Sequence, residues 1–149
     1  MRIAVGCDHR GLNIKRTIMD LISQEGHSYE DFGCYDTAAV DYPDIGGKVA
    51  QAVAEGRFEH GILVCSTGIG MSMAANKVPG VRAALCHDVF SARRSREHND
   101  ANVLCLGESV MGEGLVKEIV TAYLGAKFEG GRHVQRLEKL RELEHGCLS

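Results

Sequence analysis

The sequence predicts an α/β protein in which a five-stranded parallel sheet is covered by helices on both faces. Short apolar runs of strand length alternate with segments whose apolar residues recur at helical spacing, and this alternation continues along the chain. Parallel strands need crossover helices, and right-handed crossovers place those helices on both sides of the sheet. We therefore expect a Rossmann-like three-layer α/β/α sandwich that fills residues 1–149 as one domain.

The predicted elements follow from the positions of apolar runs, glycines and prolines. The strands are expected at residues 3–7, 28–32, 61–65, 81–86 and 103–106. The helices are expected at residues 13–24, 43–55, 71–76, 89–97, 113–124 and 132–144, with Asp88 as an N-cap. The last helix follows a Gly-rich link, so we expect it to reach toward a partner subunit that covers its apolar stripe. That stripe comprises Val134, Leu137, Leu140 and Leu143.

Charge and cysteine content argue against several classes of function. The 17 Lys and Arg residues and 20 Asp and Glu residues give a net charge of −3, which argues against a nucleic-acid partner. No apolar run approaches the roughly 20 residues of a membrane span, and we expect neither a leader nor a membrane partner. None of the six cysteines forms a C-x-x-C pair, and most lie in apolar runs, as reduced thiols of a cytoplasmic protein do.

The most informative motif is Cys65-Ser66-Thr67-Gly68-Ile69-Gly70, which joins a predicted strand to a short predicted helix. Its glycines let a ligand approach the backbone, and free N–H groups before a helix attract negative charge and favour a thiolate. A reactive thiolate and an anion site would therefore coincide here. The motif lacks the Lys of a P-loop, the third Gly of a dinucleotide fingerprint and the Arg of a cysteine phosphatase. An inert buried cysteine in a tight turn is the alternative.

Polar residues also stand at the ends of other predicted strands. Asp8 and His9 directly follow the first strand, where Asp8 can accept a hydroxyl proton or cap the next helix and His9 can bind a phosphate. His98 and Asn99 stand just before the fifth strand, and His98 is either a general acid or a structural residue. Ligands in parallel sheets bind beyond the carboxyl ends of strands, and we expect these residues to meet the Cys65 motif there.

Arg132 and Arg136 lie one turn apart at the start of the last predicted helix. Arginines on one helix face suit bidentate binding of a phosphate, although a solvated helix surface shows the same pattern. We expect no metal, because the sequence has no H-x-x-E-H motif, paired carboxylate cluster or ligand spacing of Cys and His.

Six motifs stand in the same order as in a known family. They are Gly6-Cys7-Asp8-His9, Asp41-Tyr42-Pro43, Cys65-x-Thr67-Gly68-x-Gly70, Ala74-Ala75-Asn76-Lys77, His98-Asn99-Asp100-x-Asn102 and Gly130-Gly131-Arg132-His133. Over nearly its whole length the chain thereby resembles the type B ribose-5-phosphate isomerases, a family that includes galactose-6-phosphate and allose-6-phosphate isomerases. The resemblance implies an aldose–ketose isomerase without metal or cofactor that works as a homodimer with active sites at the subunit interface. Pairing of two dimers into a tetramer stays open.

The resemblance also implies a role for each matching residue. The Cys65 thiolate moves the proton between sugar carbons, Thr67 assists it, and His98 opens the furanose ring from across the interface. The enediolate oxygens are bound by the loop that contains Ser66, Gly68, Ile69 and Gly70. The other substrate-binding residues are Asp8, His9, Tyr42, Asn99, Arg132 and Arg136, with the two arginines mostly at the phosphate.

Two residues depart from the family pattern. Ser66 stands where members commonly carry Gly, and Ser109 stands where many carry a phosphate-binding Arg. Relatives that lack the cysteine carry a catalytic Glu at the position of Met71, so the chain resembles the branch with a cysteine base. The reaction type is therefore better supported than the identity of the sugar.

Ribose 5-phosphate and ribulose 5-phosphate are the expected substrate pair, and three alternatives stay open. The first is isomerisation of a six-carbon sugar phosphate such as allose or galactose 6-phosphate, which a comparison of substrates would reveal. The second is a non-catalytic phosphosugar-binding regulator, which would cause no solvent proton exchange at the sugar carbon. The third is a redox module that uses exposed thiols, which mapping of oxidised cysteines would detect.

Overall fold

The computed structural model describes residues 1–146, so Cys147 lies outside the described part of the chain. Its strands are β1 (Arg2–Cys7), β2 (Ser28–Asp31), β3 (His60–Cys65), β4 (Ala83–Leu85) and β5 (Val103–Gly107). Its helices are α1 (Leu12–Gln24), α2 (Tyr42–Ala54), α3 (Ile69–Ala75), α4 (Val89–Glu97), α5 (Glu113–Gly125) and α6 (Arg132–Glu144). Among residues 1–146, no helix has both the length and the apolar character that crossing a membrane requires.

All paired strands are parallel, and their order in the five-stranded sheet is β2-β1-β3-β5-β4. Side chains of the inner strands alternate between the two faces, as strand geometry requires. In β3, Ile62 and Val64 pack with residues of α1, α4 and α5, whereas Leu63 and Cys65 pack with α2 and α3. The sheet therefore lies between two helical layers, and the predicted α/β/α sandwich is confirmed.

Two predicted elements begin two residues away from their position in the structure, whereas every other predicted boundary agrees within one residue. β4 spans three residues and not residues 81–86, because the Val81 N–H turns back to the Val78 carbonyl oxygen at 3.1 Å and does not pair with β5. α3 begins at Ile69, before the predicted start at residue 71, because Gly68 adopts a left-handed φ of 77° directly ahead of the helix. The early start places Ile69 and Gly70 in the first turn of α3, immediately after the Cys65 loop.

A buried ion pair fixes the segment between β2 and α2. Lys15 on α1 is 2% exposed, and its Nζ donates to both carboxylate oxygens of Asp31 at 2.8 Å and to the Cys34 carbonyl oxygen at 2.6 Å. Because an unpaired ammonium is costly to bury, these three bonds hold the segment in one place. Backbone bonds between Cys7 and residues 33–34 extend the attachment to the end of β1, just before Asp8.

The chain's own residues cover only part of the α6 stripe. Leu137 is buried, whereas Val134, Leu140 and Leu143 are 43–52% exposed. A groove of about 880 Å³ lies between α6 and the edge strand β4, and none of its lining residues belongs to the Cys65 loop. The stripe thus leaves apolar surface available for another chain, which is compatible with the predicted reach of this helix toward a partner.

His60 is a buried titratable residue at the start of β3. Its Nδ1 lies 3.4 Å from the Tyr123 hydroxyl, which donates to the Ala101 carbonyl oxygen at 2.8 Å. Burial, reinforced by the nearby Arg96 guanidinium, lowers the pKa of His60 from 6.5 to about 4. The folded protein therefore resists protonation of a ring that the unfolded chain protonates readily.

We expect this histidine to make the protein lose stability in mild acid. Above pH 6.5 the ring is neutral in both states, whereas between pH 6.5 and about pH 4 only the unfolded chain binds the proton. The resulting loss is about 2 kcal/mol of unfolding free energy between pH ~7.5 and pH ~5. Urea unfolding at these two pH values should show a smaller loss in His60→Gln than in the wild type. An exposed-histidine control, His145→Gln, should lose as much as the wild type, and equal losses in all three proteins would contradict the account.

Candidate active site

Cys65 ends β3 with its side chain held against the following turn. The residue is 5% exposed, and its Sγ accepts the Gly68 N–H at a distance of 3.0 Å. The thiolate is the form of cysteine that acts as nucleophile or base. The structure therefore places the sulfur of the predicted reactive residue within hydrogen-bond distance of a backbone donor.

The turn after Cys65 has no room for side chains at its two glycines. A Cβ on Gly68 would lie 2.9 Å from the Leu106 backbone, and its φ of 77° disfavours other residues. A Cβ on Gly70 would lie 2.8 Å from ring atoms of Tyr42. The turn is thus packed between β5 and the first residue of α2, which brings the Tyr42 phenol beside the Cys65 loop.

The loop offers fewer free donors than its sequence pattern suggests. The Gly68 N–H is bonded to the Cys65 sulfur, and the Ile69 N–H donates to Thr67 Oγ1 at 3.3 Å. Within residues 1–146, the N–H groups of Thr67 and Gly70 make no hydrogen bond. The backbone donors that remain for a ligand anion in residues 67–70 are therefore these two.

Asp8 lies next to Cys65 across the β1–β3 pairing. Its N–H donates to the carbonyl oxygen of Val64 at 3.1 Å, and its Oδ1 accepts the Arg10 N–H at 2.8 Å. α1 begins only at residue 12 and has no side-chain cap, so Asp8 does not cap that helix. The carboxylate is buried at the carboxyl edge of the sheet, where it can accept a proton from a ligand hydroxyl.

His9 is hydrogen-bonded to the segment between β2 and α2, which the Lys15–Asp31 ion pair holds in place. Its Nδ1 accepts the Val40 N–H at 3.3 Å, so the hydrogen of the neutral ring is assigned to Nε2. This arrangement presents an N–H donor at the same edge as Asp8. A donor of this kind can bind a phosphate or a sugar oxygen.

The two residues that depart from the family pattern contact each other. Ser66 Oγ and Ser109 Oγ lie 2.9 Å apart, and the Ser109 N–H donates to the Ser66 carbonyl oxygen at 2.9 Å. They form one unit that joins the Cys65 loop to the loop after β5. The pair offers neutral donors and acceptors at a position where an arginine would bring positive charge.

His98 and Asn99 lie at the opposite edge of the sheet, so the expectation that they fall at the carboxyl ends of the strands is wrong. α4 starts beyond the carboxyl end of β4 and runs back across the sheet to His98. The Gly61 N–H, near the amino end of β3, donates to the Asn102 carbonyl oxygen at 2.9 Å. Because a strand rises about 3.3 Å per residue, Cys65 and the His98 segment are roughly 15 Å apart along the sheet.

A cluster of charged and aromatic side chains surrounds His98. Its Nε2 lies 3.1 Å from Arg94 Nη1 and 3.6 Å from Glu129 Oε2, and its ring stacks on that of His133 with centroids 4.2 Å apart. Glu129 also lies 3.6 Å from Arg94 and 3.7 Å from His133. Burial lowers the pKa of His133, and His98 and the arginines of α6 act in the same direction. One carboxylate therefore balances several cationic groups here.

The predicted site residues thus fall into two separate groups. The carboxyl-edge group comprises Asp8, His9, Tyr42, Cys65, Ser66, Thr67, Gly68, Ile69 and Gly70. The amino-edge group comprises His98, Asn99, Arg132 and Arg136. In the second group, Arg132 and Arg136 are exposed at the start of α6, on either side of the buried His133.

Three side chains at the amino edge have the chemistry of metal ligands, but a guanidinium beside two of them disfavours a bound cation. The ligand atoms of His98, Glu129 and His133 lie within 4.8 Å of one another. Arg94 Nη1 lies close to both His98 and Glu129 and already supplies positive charge there. Sequence spacing does not indicate this group, because His98 is distant along the chain from the other two residues.

Sequence reasoning also missed several neighbours of the predicted residues. Glu129 and His133 have the spacing of one helical turn, a signal that was available but weak because Gly130 and Gly131 separate them. The Glu129 N–H donates to the Glu97 carbonyl oxygen at 2.9 Å, which anchors the Gly-rich link to the end of α4. At the other edge, His87 Nε2 lies 3.2 Å from the Thr67 carbonyl oxygen, a contact that no sequence pattern indicates.

Comparison with known proteins identifies the family of this chain. Residues 3–140 match the profile of the Ribose/Galactose Isomerase family. The chain belongs to this family. Ribose-5-phosphate isomerase B of Escherichia coli is 47% identical over 143 residues, which cover 96% of each chain. The resemblance inferred from the six motifs is thereby confirmed.

Other family members agree in fold and differ in the sugar that their names state. The structure of ribose-5-phosphate isomerase B from Clostridium thermocellum has a TM-score of 0.96 and 51% sequence identity, and the match covers 98% of this chain and 99% of that one. D-erythrulose-4-phosphate isomerase of Pectobacterium atrosepticum is 44% identical over 147 residues, covering 97% of this chain and 96% of the relative. Similar overall identity thus accompanies two different sugar phosphates in the family.

Proposed function

We propose that the protein is an aldose–ketose isomerase that interconverts ribose 5-phosphate and ribulose 5-phosphate through an enediolate. The observation that carries the proposal is the Cys65 sulfur, which accepts a backbone N–H in a turn beside the Asp8 carboxylate. Membership of the family and 47% identity with a ribose-5-phosphate isomerase B support the same chemistry. In this proposal, residues 1–149 form a single catalytic domain.

Cys65 acts as the base in the proposed mechanism. Its thiolate removes the proton from C2 of the open-chain aldose and returns it to C1, and the Thr67 hydroxyl assists. Negative charge develops on the sugar oxygens during this step, and the free N–H groups of Thr67 and Gly70 are available to bind it. One donor of this kind contributes about 3 kcal/mol to transition-state stabilisation in other enzymes. Ser66, Gly68 and Ile69 complete the loop around the enediolate.

Asp8, His9 and Tyr42 bind the substrate on the same side of the sheet. The Asp8 carboxylate accepts the proton of the anomeric hydroxyl when the ring opens, since it is buried beside Cys65. His9 donates through Nε2, and the Tyr42 ring forms a wall against Gly70. This half of the site contains a base for carbon and a base for oxygen, whereas His98, the residue expected to protonate the furanose ring oxygen, lies at the other edge of the sheet.

We propose that a second copy of the chain supplies this acid, so that each active site of a homodimer combines two chains. His98 lies roughly 15 Å along the sheet from the Cys65 of its own chain, too far to share a substrate. Exposed apolar side chains surround the Cys65 loop and offer a surface for the partner. These are Ile69, Met73, Leu85 and Phe90. The same arrangement is compatible with a tetramer built from two such dimers.

The partner chain would also supply the phosphate ligands. Arg132 and Arg136 are exposed near His98, and within residues 1–146 neither makes an ion pair. Arginine binds phosphate through paired, charge-assisted hydrogen bonds. Asn99 follows His98 at the same edge and completes the half-site. In this arrangement α6 reaches the partner with its arginines while its leucine stripe is covered by the partner's surface.

The contact between Ser66 and Ser109 keeps a second substrate class open. A hydroxyl pair in place of a phosphate-binding arginine removes one charged contact and leaves more space next to the loop. A longer sugar phosphate, such as allose or galactose 6-phosphate, could use that space. Relative kcat/KM values across four-, five- and six-carbon aldose phosphates would identify the preferred chain length.

The cellular setting follows from composition and cysteine state. The five cysteines in residues 1–146 are all free and buried, which supports a reducing compartment, and we propose the cytoplasm. The net charge of −3 supports a small-molecule substrate over a nucleic acid. The proposed chemistry requires no redox cofactor, since the proton and the electron pair both stay with the sugar.

We expect Cys65→Ala to abolish isomerisation while leaving substrate binding intact. Loss of a base that acts in the transition state should reduce kcat by about 10²- to 10⁴-fold. Turnover of ribose 5-phosphate gives the rate, and calorimetric titration with ribulose 5-phosphate gives the affinity. Cys86→Ala is the matched control, because that thiol is also buried at a strand end and burial raises its pKa to about 11. Normal turnover in Cys65→Ala would exclude this thiol as the base.

We expect His98→Asn to block ring opening but not proton transfer at carbon. Ribulose 5-phosphate cannot close a furanose ring, so uptake of deuterium from D₂O at its C1 does not need the ring-opening acid. Turnover of ribose 5-phosphate should fall by about 100-fold or more, while deuterium uptake should change less than about threefold. Both rates can be followed by proton NMR. Equal losses in the two reactions would mean that His98 acts in the proton transfer itself.

A further inference from the structure

The contacts of His98 differ for the two nitrogens of its ring. Arg94 can only donate hydrogen bonds, so its Nη1 at 3.1 Å requires the facing Nε2 to be an acceptor. The neutral ring therefore carries its hydrogen on Nδ1, and no residue within 1–146 bonds to Nδ1. Glu129 Oε2 lies 3.6 Å from the same Nε2. A donor and an acceptor thus compete for one nitrogen, while the other is left for a ligand.

We propose that Arg94 and Glu129 are positioning residues that bond to His98 Nε2 in turn, and that this exchange directs the Nδ1 proton to the substrate. Arg94 holds the neutral ring, and Glu129 takes the Nε2–H of the protonated ring. Arg94 does not lose its partner in this exchange, since it also bonds to Glu97 Oε2 at 2.9 Å. The inference rests on the proposed function of His98 as the acid that opens the sugar ring.

The proton balance of ring opening explains why Glu129 is needed. The protonated ring gives its Nδ1 proton to the furanose ring oxygen, which also receives the electron pair of the breaking C1–O bond. The anomeric hydroxyl gives its proton to Asp8, and its O–H electron pair forms the C1 carbonyl. His98 is left neutral with its hydrogen on Nε2, the tautomer that Glu129 stabilises. Without Glu129, the surroundings would stabilise only the tautomer with its hydrogen on Nδ1. Nδ1 is the nitrogen that has to give up its proton to the sugar.

The charged and titratable groups that face His98 come from three parts of the chain. Arg94 and Glu97 come from its own helix, Glu129 comes from the link, and His133 comes from α6. Burial, together with the adjacent His98 and the α6 arginines, lowers the pKa of His133, which disfavours a second positive charge beside a protonated His98. Glu129 is thus the carboxylate within 4.0 Å of the His98 ring in the described chain.

An NMR titration tests this exchange without any assay of activity. The ¹⁵N signals of His98 are assigned by their absence in His98→Asn, and their shifts report which nitrogen carries hydrogen. Glu129→Gln should lower the pH midpoint of His98 by about 0.5–1 unit, and Arg94→Gln should raise it by a similar amount. The control Glu138→Gln, an exposed carboxylate on α6, should leave the midpoint unchanged. Unchanged midpoints in both variants, or shifts in the same direction, would overturn the proposal.

Kinetics then separate positioning from a merely structural role. With Glu129→Gln, the decline in ribose 5-phosphate turnover with rising pH should begin at lower pH, and turnover near neutral pH should fall about tenfold. Deuterium uptake into ribulose 5-phosphate should stay near the wild-type rate, and Glu129→Asp should recover part of the lost turnover. Equal effects on both reactions would count against positioning.

Failure of the proposed isomerase function and failure of the exchange at His98 Nε2 can be told apart. If the wild type does not isomerise ribose 5-phosphate, the proposed function is wrong, and the NMR midpoints still decide whether Arg94 and Glu129 exchange at Nε2. If Glu129→Gln does not fold, Arg94→Gln decides alone. An upward shift of the His98 midpoint in that variant supports the exchange, and an unchanged midpoint overturns it.

Discussion

The direction of the parallel strands is the constraint on which the rest of the structure depends. Each crossover helix carries the chain from the carboxyl edge of the sheet back to the amino edge. Residues that directly follow a strand therefore lie at the carboxyl edge, and residues that directly precede the next strand lie at the amino edge. Cys65 ends β3, whereas His98 precedes β5. Buried strands separate the two residues, and no rotation of a side chain can bring them together. In our proposal this separation is the physical reason that catalysis requires two chains.

Helices and strands whose apolar residues recur at one regular spacing could be predicted from the sequence. The last helix was predicted at residues 132–144 and is found there, because its apolar positions recur at helical spacing after a pair of glycines. The start of α3 differs from the prediction because it depends on the left-handed conformation of Gly68, at a position where the Leu106 backbone leaves no room for a side chain. The Cys65 loop and Asp8 could be placed at one edge because both directly follow strands. His98 lies at the edge opposite to the predicted one because α4 runs back to the amino edge before β5 begins.

Contacts between distant segments account for what the sequence could not reveal. The bond between Ser66 and Ser109 depends on the pairing of β3 with β5, which turns two apparently independent substitutions into one feature. The cluster of His98, Glu129 and His133 forms because the link after α5 returns to the end of α4. Neither arrangement has a local pattern, so neither could be read from residue spacing. In our proposal, the first contributes to the choice of sugar and the second to the delivery of a proton.

Electrostatics at the two edges complement each other. The carboxyl edge combines a thiol, a carboxylate and free N–H groups, which suit proton removal and the binding of developing negative charge. The amino edge combines exposed arginines with a histidine between a guanidinium and a carboxylate, which suits phosphate binding and proton donation. In our proposal, each edge supplies groups that act together with those of the other edge. A two-fold symmetric pair would therefore create two equivalent complete sites from four halves.

Complementation between two inactive variants tests this central claim most directly. Cys65→Ala and His98→Asn chains, carrying different affinity tags, are co-expressed, and dimers that contain both are isolated. One of their two sites would then combine an intact Cys65 with an intact His98 from the other chain. Our account predicts about half of the wild-type turnover of ribose 5-phosphate for these mixed dimers, while each parent stays inactive. Mixed dimers as inactive as both parents would show that Cys65 and His98 act within one chain and would contradict the account.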